Sequence, residues 1–106
     1  MSQNPMLVSF SNSIDQPVYN LTATAVIRSG KCILRTIIVN APGSSGSLVI
    51  NDNAQTGATN TAANSILSIP FGSLTVGQII RLEVFCQNGI VISAIPVGGG
   101  FSVVTR

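Results

Sequence analysis

Apolar and small polar residues alternate along most of this chain. Over 19–27, Tyr19, Leu21, Ala23, Ala25 and Ile27 alternate with Asn20, Thr22 and Thr24, the period of a half-buried strand. Over 31–39, Cys32, Leu34, Thr36 and Ile38 fall on one face, and Lys31, Ile33, Arg35, Ile37 and Val39 on the other. The charges turn the second face to solvent at its start, so its apolar end at Ile37 and Val39 requires a cover. Over 79–86, Ile80, Leu82, Val84 and Cys86 oppose Ile79, Arg81, Glu83 and Phe85, with Arg81 and Glu83 as a solvated pair. Shorter apolar runs at 6–10, 48–50, 65–69, 90–92 and 101–105 continue the pattern, the run at 65–69 being stopped by Pro70.

Turn signals separate these runs: Gly43-Ser44-Ser45-Gly46, Asn51-Asp52-Asn53 and Gly98-Gly99-Gly100. Asn88-Gly89 between two apolar runs predicts a tight hairpin whose turn positions both take positive φ. The polar stretch 54–64 is the longest candidate loop, mobile or ordered by a partner. About eight short strands with turns every 8–12 residues predict an all-β fold, a single antiparallel β-sandwich or jelly-roll-like domain. The domain spans 6–106, with an N-terminal arm at 1–5. No window carries a helical period, and no fixed-period repeat is found.

Composition narrows the functional classes. The chain has 106 residues, no His, no Trp, and only 8% charged residues, against about 25% in an ordinary domain. The acids are Asp15, Asp52 and Glu83; the bases are Arg28, Lys31, Arg35, Arg81 and Arg106. A net charge of +2 without a basic cluster does not suit nucleic acid. Mean hydropathy is +0.52, yet no apolar run approaches the ~20 residues of a membrane span. High hydropathy with few charges points instead to apolar surface covered by a partner. The first residues carry neither a basic nor an apolar leader segment, so synthesis in the cytoplasm and free thiols are expected.

Catalytic chemistry finds little to work with. Serines lack a His base. Cys32 follows Lys31, but neighbours in a strand point to opposite faces, so Cys32 and Cys86 read as buried thiols, or as a bridge if their strands face each other. Three acids form no recognisable general acid/base pair. Asn51-Asp52-Asn53 offers oxygens but lacks the spaced carboxylates of a calcium loop, and a plain turn explains it as well. A zinc site within one chain is excluded by the missing His and the two separated Cys. Gly98-Gly99-Gly100 is not a phosphate loop. No cofactor is expected.

The order of motifs resembles small virion proteins of tailed bacteriophages. It runs from the basic–apolar strand KCILRTIIVN at 31–40, through a Gly/Ser turn and SLVINDNA at 47–54, to FCQNGIVI at 85–92. The resemblance covers roughly 30–105, and Asn51 stands where such sequences often carry an aromatic. It implies a β-sandwich that decorates or cements a capsid, or belongs to a head fibre, commonly as a trimer. The expected function is thus a non-enzymatic decoration protein on the capsid exterior, with itself and the major capsid protein as partners and no nucleic acid or membrane. Ile33, Ile37, Val39 and Phe85, with Pro5 and Met6 of the arm region, are the expected contact residues. Asp52, Asn53, Asn88 and Gly89 are carried over as structural turns. The alternative is a fibre or surface module that recognises a receptor or glycan through loop 54–64, although exposed aromatics are scarce.

Overall fold

The computed structural model describes residues 14–106. The expected arm at 1–5, the strand at 6–10, and the contact residues Pro5 and Met6 lie outside the described residues. The rest is an all-β sandwich of eight strands: β1 (Gln16–Leu21), β2 (Ala25–Ser29), β3 (Cys32–Ala41), β4 (Ser47–Asn51), β5 (Ser65–Pro70), β6 (Ile79–Cys86), β7 (Gly89–Ala94) and β8 (Gly100–Thr105). One sheet has the order β1-β8-β3-β6 and the other β2-β7-β4-β5. All pairs are antiparallel. The first strand pairs with the last, the second with the seventh, the third with the sixth, and the fourth with the fifth. That is one long hairpin wound on itself, the connectivity of a jelly roll.

This winding corrects two expectations. The alternating run at 19–27 is not one strand. Asn20 adopts a left-handed backbone with φ 51°, which Asn tolerates better than most residues. The β1–β8 register shifts there, and the chain leaves the first sheet to enter the second as β2. The second correction concerns Asn88-Gly89. β6 and β7 belong to different sheets, so the dipeptide makes an arch across the sandwich rather than a hairpin. Only the glycine takes positive φ, at 149°. A Cβ there would stand 2.5 Å from the Arg28 carbonyl oxygen and 2.7 Å from that of Asn53.

The core lies between the sheets. Leu34, Ile37, Val39, Leu48, Ile50, Ile90, Ile92, Phe101 and Val103 are fully buried in it. Ile37 and Val39, expected on an outward face, are therefore core residues. The reason is a bulge at Arg35–Thr36. From Leu34 to Thr36, β3 advances two residues while β8 advances one, from Thr105 to Val104. Side chains alternate strictly along a regular strand, so one extra residue moves everything after it to the opposite face. Cys32 and Leu34 point inward before the bulge; Ile37 and Val39 point inward after it.

Candidate interaction surface

All three acids are engaged in holding the fold. Asp15 Oδ1 stands 3.3 Å from Arg35 Nη1 and 3.1 Å from Arg106 Nε. Glu83 pairs with Arg35, not with Arg81 as the spacing suggested; Oε1 comes within 2.6 Å of Arg35 Nε. That contact is a charge pairing whose angle does not make a hydrogen bond. Glu83 has φ 68° because β6 carries its own extra residue opposite Leu34–Thr36. The bulge swings Glu83 toward β3.

Asp52 unites the two turns that the sequence marked separately. Its Oδ2 accepts the Gln87 N–H at 3.0 Å, and its Oδ1 accepts those of Asn88 and Gly89 at 2.8 and 3.2 Å. Burial works against the charged form, but these three donors outweigh it and hold the carboxyl below its ordinary value. With its oxygens facing N–H groups, Asp52 is a clamp on the β6–β7 arch. Among the described residues no group of three Asp, Glu, Cys or His gathers to hold a metal.

Loop 54–64, expected to be mobile or ordered by a partner, is held by amide side chains. Asn51 Nδ2 donates to the Thr61 carbonyl at 3.0 Å and to Asn64 Oδ1 at 2.6 Å, and Asn51 Oδ1 accepts from Ser93 Oγ at 2.6 Å. Asn53 Nδ2 reaches Thr59 Oγ1 and Asn60 Oδ1, both at 3.0 Å. Asn51 and its ladder partner Val91 are buried although Val91 lies outside the core cluster. The loop is folded over the outer face of its sheet. Beside it lies an open cleft of about 310 Å³, lined by Val49, Asn51, Asn60, Thr61, Ser65, Ser68 and Ser93 among others.

Of the expected contact residues, Phe85 is 56% exposed and Ile33 half-buried. They are ladder partners on the outer face of the first sheet. Further along, Ile38 faces Ile79, itself 54% exposed. Two apolar pairs thus flank the Arg35–Glu83 contact on that face. Cys32 and Cys86 are both buried and free.

The sequence reading missed the far end of the sandwich. The connections 22–24, 42–46, 71–78 and 95–99 all lie there, as the strand pairings require. None contains a charged residue, yet Phe71, Val76 and Val97 are exposed, the two valines at 66%. Loop 42–46 ties the end together: Gly46 O accepts from Phe71 N–H at 3.0 Å, Ser45 O from Val97 N–H at 2.9 Å, and Val97 O from Ser44 N–H at 2.8 Å. Gly43, at φ 88°, packs so tightly that a Cβ would lie 2.7 Å from Pro96 Cβ. The available signal was isolated apolar residues within Gly/Pro/Ser-rich, uncharged connections. The described charges lie on the strands and toward the opposite end. No family profile, curated protein or solved structure matches the chain.

Proposed function

We propose that this chain is a non-catalytic structural subunit of a bacteriophage particle, a decoration or cement protein that docks on the capsid exterior and bridges neighbouring capsomers. The observation that carries this reading is the uncharged loop end with Phe71, Val76 and Val97 exposed on a tied backbone. An uncharged end that exposes apolar side chains suits a permanent protein contact, because obligate interfaces resemble a core cut in half. The motif order over 30–105 supports the same reading. Copies associate as a trimer through the outer face that carries Ile33 and Phe85, while the loop end meets the major capsid protein. Several weak docking contacts made at once by one trimer raise avidity without any new chemistry.

The test has two parts. Light scattering after gel filtration of the full chain is expected to give a trimer that Phe85→Asp converts to monomer. Co-sedimentation with empty phage shells is expected for the native chain and lost in Val97→Asp, with the trimer intact. A native monomer at every concentration, or shell binding indifferent to Val97→Asp, refutes the corresponding part.

A second reading is favoured by the cleft beside loop 54–64. Its lining of hydroxyls and amides over Val49 suits a neutral, polyhydroxylated ligand such as a glycan on a receptor. Retention of the chain on a glycan array, abolished by Ser68→Phe, supports it; an empty array removes it.

A further inference from the structure

We propose that Cys32 and Cys86 are an oxidisable pair, the site of an intrachain disulfide that staples β6 to β3. They are direct ladder partners. Opposed residues in an antiparallel pair hold their Cα atoms about 4.5 or 5.5 Å apart, depending on the hydrogen-bonding position. Both separations fall within the ~4.4–6.8 Å that a disulfide spans. Opposed side chains also share a face, and here that face is the core: the residues are 4% and 0% exposed and belong to the same buried cluster. The position gives the bond a consequence. β6 is an edge strand with β3 beside it, and Cys86 is its last residue, just before the arch that Asp52 clamps. A bond there ties an edge strand to its neighbour and links segments far apart in the chain, which restricts the unfolded state. This inference stands apart from the structural role proposed above.

The oxidant is a low-molecular-weight disulfide such as oxidised glutathione. One cysteine thiolate attacks a glutathione sulfur, forming a mixed disulfide and releasing one glutathione thiolate. The second cysteine thiolate attacks the protein-side sulfur of that mixed disulfide, forming the Cys32–Cys86 bond and releasing the second glutathione. Two electrons pass to the oxidant, and the two thiol protons end on the two reduced glutathiones. Burial raises both thiol pKa values, that of Cys86 to about 12. Thiolate is scarce in the closed fold, so exchange is slow there and proceeds when the end of β6 opens.

The full chain is incubated with oxidised glutathione, both native and while refolding from urea. The expected product is lighter by two hydrogens and has no alkylatable thiol after denaturation. It yields a tryptic fragment 32–35 bonded to 82–106 and unfolds at a higher temperature than the reduced chain. Cys32→Ser, left with one thiol, is expected to take up a single glutathione during the same refolding. Two alkylatable thiols surviving refolding in oxidant, or a glutathione on each cysteine of the native sequence, overturns the proposal.

Discussion

Removing the Asp52 carboxylate should unlock the β6–β7 arch at a cost that can be worked donor by donor. In Asp52→Ala three N–H groups lose their acceptor. Gln87 and Asn88 are exposed, so their N–H groups regain water and each loses about 0.5–1.5 kcal/mol net. Gly89 is buried, and an unpaired buried donor costs about 1–3 kcal/mol. The total is about 2–6 kcal/mol, a large part of the roughly 5–15 kcal/mol that holds a domain folded. At about 4–8 °C per kcal/mol for a domain of this size, even the low end lowers Tm by some 10 °C. Asp52→Asn keeps Oδ1 for Asn88 and Gly89 but turns an NH₂ toward the Gln87 N–H, so about 1–2 kcal/mol is expected. The chain has no Trp, so urea unfolding is followed by far-ultraviolet circular dichroism. An Asp52→Ala loss under about 0.5 kcal/mol, with unchanged denaturant dependence, refutes the clamp.

The same clamp sets a pH dependence. The folded Asp52 carboxyl lies below its ordinary value, so the folded state binds its proton less readily than the unfolded state. Its contribution is complete above the unfolded carboxyl value of about 3.9 and is lost as pH falls through the lower folded value. The stability difference between native chain and Asp52→Asn should be flat above about pH 5 and shrink below about pH 4. A difference that grows toward low pH refutes the assignment.

Three further outcomes follow from the geometry. Gly89→Ala places a Cβ against two carbonyl oxygens, and thermal melts should show it destabilised by more than about 1 kcal/mol. Ile37→Asp buries an unpaired carboxylate in the core and should fail to fold by circular dichroism, whereas Phe85→Asp, on the outer face of its sheet, should keep the far-ultraviolet spectrum of the folded chain. Arg35→Ala, which removes contacts to both Asp15 and Glu83, should cost up to about 1 kcal/mol in urea unfolding, and Arg81→Ala less than about 0.5 kcal/mol.

The all-β class was legible because the sheets keep period two wherever the ladder is regular. β6 preserves its alternation through a bulge, and Ile80, Leu82, Val84 and Cys86 face inward as the pattern says. In β3 the same reasoning fails at one residue. Nothing in Arg35-Thr36 announces a bulge, since Ile38 and Ile37 are equally apolar and either parity gives a plausible strand. The structure selects the parity that buries Ile37 and Val39 against Val103 and Phe101. Asn88-Gly89 misled for a related reason. Its local chemistry marks a sharp reversal, but whether a reversal returns to the same sheet or crosses to the other depends on partners distant in sequence.

The candidate surface was the least legible feature, and the topology explains why. Phe71, Val76 and Val97 lie in two connections separated by all of β6 and β7. In the linear sequence each is a lone apolar residue in a turn, which ordinarily means nothing. Winding the hairpin brings those connections onto the backbone of 42–46, and only then does the absence of charge become a property of one end of the molecule. The same winding sends Asp15, Asp52 and Arg106 toward the other end. With only 8% charged residues, such segregation leaves the connections at the loop end without charge, and that is the ground on which docking is proposed for the loops rather than for the charged end.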